Sequence, residues 1–227
     1  MMRTRGRESR RRLLRLAAGL PLAVALAQLR TALAAGALEK GVYRASGEAR
    51  INGVAAKPGM DVKAGDVVTT GADGEIAFVI ARDAMLVRKN SRVEIDGVKG
   101  SLIATGLRIV TGKVLSVFSP GERKRIATAT ATIGIRGTAV YVESEPDKTY
   151  VCTCYGVAEL EAAGDPAARE TVSTKHHEQP RYVMSKGAPQ MLMTAPVFNH
   201  SDAELIFLES LVGREPPFYG PGYRREY

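Results

Sequence analysis

Cysteine and histidine are scarce in this 227-residue chain, which has two Cys and three His. Two cysteines cannot build the multi-bridge framework of a small disulfide scaffold. A chain of this length buries a core without one. Long apolar runs are also missing. Ala17–Leu29 is only 13 residues, against roughly 20 for a membrane-spanning helix. No Gly-x-Ser-x-Gly elbow and no phosphate-cradling Gly loop occurs, which removes the usual signatures of hydrolases and nucleotide-binding enzymes. Glu159 and Glu161 share a strand face, but such a pair reads as solvated. No catalytic set emerges, and a non-enzymatic protein is expected. No internal repeat points to a solenoid.

Positive charge is abundant but unevenly placed. Arg3, Arg5, Arg7, Arg10, Arg11, Arg12 and Arg15 precede the apolar run, and Ala32-Leu33-Ala34 follows it. This is the order of an export signal, over residues 1–35, with cleavage after Ala34 or Ala35. Ser9-Arg10-Arg11-Arg12-Leu13-Leu14-Arg15 is similar to the twin-arginine consensus, with Leu13 where Phe is commonest. The segment carries +7 of the chain's +8 net charge, leaving the mature protein near +1. The basic balance therefore leaves with the signal, and nucleic-acid binding is excluded as a reading. A periplasmic protein is expected, touching the membrane only if the signal stays uncleaved. Its thiols meet an oxidising compartment.

From Gly41 to Leu160 the chain alternates short apolar stretches with turn residues. Asn52-Gly53 is a hairpin signal after Val42–Ile51. Lys63-Ala64-Gly65-Asp66 and Ala72-Asp73-Gly74 are turns. Ile76, Phe78 and Ile80 alternate with Glu75, Ala77 and Val79, which predicts one inward face. Leu107–Val110 and Val114–Phe118 flank Thr111-Gly112, an expected hairpin. The spacing predicts an all-β sandwich or β-roll of short antiparallel strands. Thr171–Ser173 and Tyr182–Met184 read as further strands. One helix is expected over 202–212, with Ser201 as N-cap, Glu204 completing a capping box and Gly213 ending it. Leu205, Leu208, Leu211 and Val212 form its apolar stripe. The Pro/Gly tail 214–227 reads as extended and mobile.

Several of these segments together resemble the FecR-like domain. They are Lys63-Ala64-Gly65-Asp66-Val67-Val68-Thr69-Thr70-Gly71, Ile76-Ala77-Phe78 leading to Asp83, Leu107–Val114, Ile126-Ala127-Thr128, Ile135-Arg136-Gly137-Thr138-Ala139-Val140-Tyr141-Val142 and Tyr155-Gly156-Val157. The resemblance implies an exported β-domain over 41–162, followed by an extension over 163–213. In the best-known members this is the sensory part of an inner-membrane regulator whose short cytoplasmic segment controls a sigma factor. Only about 16 residues precede the apolar run here, and they read as a signal rather than as that segment.

Ile135-Arg136-Gly137-Thr138 reads as a tight turn between two strands. There Gly137 permits a close approach, Arg136 pairs with a carboxylate and Thr138 satisfies an amide.

The remaining chemistry is confined to the later half. Cys152 and Cys154 lie two apart on one strand and face the same way. His176, His177 and His200 follow, so all five residues fall within 49 positions. Two Cys and two His suit zinc, and copper or haem iron is an alternative. A strained local Cys152–Cys154 disulfide or two inert buried thiols are the others. Adjacent His176 and His177 point to opposite faces of a strand, so both reach one ion only from a loop. The expected function is binding or scaffolding of a protein or envelope partner in signalling. A periplasmic metal- or haem-binding protein and a membrane-anchored sigma regulator are the alternatives.

Overall fold

In the computed structural model, residues 40–221 are described. The export signal expected over 1–35, with Arg10 and Arg11, lies outside them, as does the end of the tail, 222–227. The strands are β1 (Gly41–Ser46), β2 (Ala49–Ile51), β3 (Val54–Ala55), β4 (Val67–Thr70), β5 (Glu75–Ile80), β6 (Asp83–Val87) and β7 (Arg92–Asp96). They continue as β8 (Gly106–Val117), β9 (Arg123–Ala127), β10 (Ala131–Ser144), β11 (Lys148–Ala162), β12 (Asp165–Thr174), β13 (Arg181–Met184) and β14 (Leu192–Thr194). One helix, α1 (Asp202–Leu211), follows them. The expected all-β fold with a C-terminal helix is what forms.

All the described strands belong to one coiled sheet, ordered β14-β13-β11-β10-β9-β8-β7-β4-β2-β3. A branch β1-β5-β6 returns to β8, and β12 joins β11. The pairings are antiparallel except β8 with β9. The strands after residue 162 extend this same sheet rather than forming another layer.

The long strands change partners partway along. β10 pairs with β9 over Thr132–Arg136 and with β8 over Ala139–Ser144, while β11 follows it on the other side. The change falls at Gly137 and Thr138, where the register shifts. Arg136-Gly137-Thr138 is thus a bulge inside a continuous strand, not the expected turn. A bulge adds a residue and rotates the strand, so Ile133 and Ile135 share one core with Val140 and Val142. Gly137 has φ +52°, and a Cβ there would stand 2.8 Å from Pro120 Cα. Thr111-Gly112 likewise forms no hairpin. Gly112 sits inside β8 with φ +96°, and a Cβ would lie 2.1 Å from Ser91 Oγ. Asn52-Gly53 does close the β2–β3 hairpin, with both residues at positive φ, as a type I′ turn demands.

Two apolar cores occupy the two faces of the sheet. Ile76, Phe78, Ile80, Met85, Ile109, Ile126 and Ile133 fill one. Ala77, Val79, Ala84, Leu86, Leu115, Tyr141, Cys152 and Cys154 face the other, where Leu205 and Leu208 of α1 cover them. The single inward face expected for β5 is therefore incomplete, because both its faces are buried. Complete burial of one leucine stabilises by roughly 1.5–3 kcal/mol, so the α1 stripe is a substantial anchor. At its start, Ser201 N donates to Glu204 Oε2 at 2.9 Å, and Glu204 Oε1 pairs with Arg88 at 2.6 Å.

Candidate functional site

Cys152 and Cys154 lie on β11, with no solvent exposure, facing the α1-side core. The outer edge of β11 pairs with β13 over Lys148–Val151 and with β12 over Gly156–Ala162. Residues 152–155 fall in the gap between these neighbours. The loop after β12 fills it. Thr174 Oγ1 donates to Thr153 O at 2.6 Å, and His177 N donates to Cys154 O at 2.9 Å. The amides of Lys175 and His176 donate to Glu178 Oε2, which holds the loop in shape. His177 has φ +59°, a left-handed conformation that costs a branched or bulky side chain energy and recurs at functional sites. It turns the imidazole inward.

His177 Nδ1 lies 3.4 Å from Cys152 Sγ and 3.0 Å from His200 Nε2. His200 precedes α1 and follows Asn199, itself at φ +60°. One ligand atom each from Cys152, Cys154, His177 and His200 lies within 4.8 Å of the others, and all four residues are buried. Four of the five residues expected from the sequence therefore converge. His176, the fifth, takes a different position: its Nε2 donates to Asp202 Oδ1 at 2.8 Å, and its ring stacks on Phe218 at 4.3 Å.

The outer face of the cluster fixes the two imidazoles. His200 Nδ1 is 2.8 Å from the Phe198 carbonyl, which can only accept, so that nitrogen carries the proton. His177 Nε2 is 3.2 Å from Asp202 Oδ1 and donates to the carboxylate. Asp202 is fully buried and opens the first turn of α1, where the helix dipole favours negative charge. With both outer nitrogens held by acceptors, the inner ones, 3.0 Å apart, are left to share a proton or to bind a cation. Tyr141 stacks on His200 at 4.6 Å and holds its plane.

The sulfurs titrate as a pair. The Cys154 thiol hydrogen-bonds Cys152 and draws its pKa down against burial, helped by His177 and His200. Burial and the neighbouring Cys152 push Cys154 up. The disulfide alternative is not realised, because both cysteines are free. On an extended strand, residues i and i+2 stand near the far limit of disulfide reach.

The Ile-Arg-Gly-Thr motif plays a different part. Val157 N donates to Thr138 Oγ1 at 2.7 Å, and Thr138 Oγ1 donates to Val157 O at 3.1 Å. Arg136 pairs with Glu159 at 3.3 Å on the exposed face. Each anticipated partner type is present, and together they pin the β10 bulge to β11.

The sequence did not single out Asp202, whose place in a helix first turn looked merely capping. It also read the tail as extended and mobile, although part of that tail is anchored. Arg214 pairs with Glu209 at 2.6 Å and bonds Arg82 O at 2.7 Å, while Phe218 covers His176. An open groove of about 820 Å³ borders the site, with Arg88, Lys89, Lys113 and Glu204 on its walls and His200 where it meets the cluster.

No curated protein matches the chain. Two crystal structures from Parabacteroides distasonis, each described as a "putative anti-sigma factor", share 10% identity at a TM-score of 0.46. The alignments cover 57% and 62% of this chain; the chain spans 58% of the first neighbour and 71% of the second. Likeness at that level fixes neither fold nor activity. The family model described as FecR protein matches residues 66–159, from the turn before β4 into β11. That span holds the Arg136-Gly137-Thr138 bulge and both thiols, whereas the two imidazoles and Asp202 come from later in the chain. Over residues 66–159 the chain therefore carries a match to the FecR protein family.

Proposed function

We propose that this chain is an exported, non-enzymatic FecR-type domain that works in envelope signalling by binding a protein partner. The observation that carries the reading is the family match over β4–β11. An exposed apolar loop supports the binding role. Between β7 and β8, Val98 is 79% exposed, Ile103 59% and Leu102 45%. Apolar side chains grouped on a surface favour association. The signal-like Arg10-Arg11 segment supports periplasmic placement.

The test combines fractionation with crosslinking in the native host. Mature protein in the periplasmic fraction should begin near Ala35 or Gly36. A photo-reactive residue at Ile103 should give one discrete adduct, weakened by Val98→Asp. Cytoplasmic retention without any adduct refutes the reading. An intact N-terminus in the inner membrane selects the sigma-regulator alternative instead.

A further inference from the structure

We propose that Cys152, Cys154, His177 and His200 hold a zinc ion that ties the C-terminal extension to the FecR domain.

The spacing fits. Zn–S bonds of about 2.3 Å and Zn–N bonds of about 2.0–2.1 Å at tetrahedral angles give edges of about 3.6 Å for S···N and about 3.3 Å for N···N. The corresponding distances here are 3.4 Å for Cys152 Sγ to His177 Nδ1 and 3.0 Å for His177 Nδ1 to His200 Nε2. The remaining edges are at most 4.8 Å, so shifts of up to about 1 Å complete the polyhedron.

The proton positions point the same way. Phe198 O and the Asp202 carboxylate take the outer imidazole protons. The two inner nitrogens then face each other in a buried space beside two sulfurs. A shared proton or a metal ion satisfies them, and the sulfurs beside them favour the metal. The outer partners are those that metal-bound histidines generally keep, a backbone carbonyl on one ring and a carboxylate on the other.

Charge selects a divalent ion, and the donor set of two Cys and two His suits zinc among them. Two thiolates and two neutral imidazoles cancel a divalent charge, so the loaded site is neutral where burial penalises net charge. A monovalent copper ion would leave it negative. Uptake displaces whatever thiol protons remain: each S–H bond present breaks, the sulfur keeps the electron pair and bonds to zinc, and the proton passes to solvent. His200 borders the groove, which gives the ion a route in.

The test uses the full chain, purified with reduced thiols. Elemental analysis should give one zinc per chain. Cobalt(II) should give one equivalent of tetrahedral absorption with a thiolate charge-transfer band, discharged by zinc. Cys154→Ser and His200→Ala should weaken binding more than about 100-fold, while Arg136→Ala, on the far exposed pair, should retain it. Because a variant that fails to fold is uninformative, each is checked by circular dichroism, and the cobalt spectrum of the unaltered chain decides alone if they unfold. An octahedral cobalt spectrum, substoichiometric zinc, or unchanged affinity in a folded Cys154→Ser protein overturns the proposal.

Discussion

His177 Nε2 stands 3.2 Å from Asp202 Oδ1, and that bond turns Nδ1 toward Cys152. A carboxylate in the first turn of α1 thereby sets the direction of an imidazole from the loop after β12. Asp202→Asn offers His177 a weaker acceptor. Zinc affinity should fall by about 10- to 100-fold with little change in the β spectrum. Competition against a chromophoric chelator measures it.

Lys124 is buried between Asp83, at 3.3 Å, and Glu122, at 2.7 Å, and donates to Ala104 O. Burial alone would lower its basicity, but the two carboxylates outweigh that and raise it. Removing the ammonium leaves Asp83, 1% exposed, without its charge partner. Lys124→Ala should cost about 3–5 kcal/mol. Urea denaturation should show a lower midpoint at unchanged slope.

Glu143 gives a pH-dependent contribution. Burial would push its carboxyl up, but hydrogen bonds from Asn199, Tyr141 and Lys113 hold it below the usual 4.5. The unfolded chain thus takes up the proton first as pH falls. Stability is full above about pH 4.5 and declines as pH drops through the folded value. Glu143→Gln should lower stability at pH 7 by about 1.5–3 kcal/mol and flatten the acid side of the profile. Thermal melts from pH 7 to pH 3 compare the two proteins.

Gly156 has φ +91°, and a Cβ there would lie 2.2 Å from Thr138 Oγ1. Gly156→Ala should therefore strain the backbone and push out the hydroxyl that bonds both Val157 N and Val157 O. A loss of about 1–3 kcal/mol is expected. Thr138→Val, which keeps the shape, should lose about 1–3 kcal/mol by orphaning the Val157 amide. Both are read by equilibrium denaturation.

Much of the strand order was legible because short apolar stretches end at Gly and Asn turns, as at Asn52-Gly53. The two misread hairpins share one cause. Gly112 and Gly137 have the positive φ of turns, yet each marks a place where one strand trades a neighbour for another. That exchange depends on long-range pairing. The double burial of β5 was hidden similarly, because Ala77 and Val79 are small enough to resemble a weak outer face. At the site, the clustering of Cys and His in sequence was informative, and so was the need for a loop at His176-His177. Asp202 was not legible, since an acid after Ser201 already had an explanation in the helix cap.

The apolar face of β5, β6, β8 and β10 is covered by Leu205 and Leu208, which lie more than 40 residues beyond the stretch that matches the family. The stretch that matches the family should therefore not fold alone. A chain ending at Ala162 would leave Val79, Leu86, Leu115 and Tyr141 open to water, along with the unpaired gap in β11. Such a fragment should self-associate, and dissection of this protein by family boundary would yield aggregate rather than an isolated sensor.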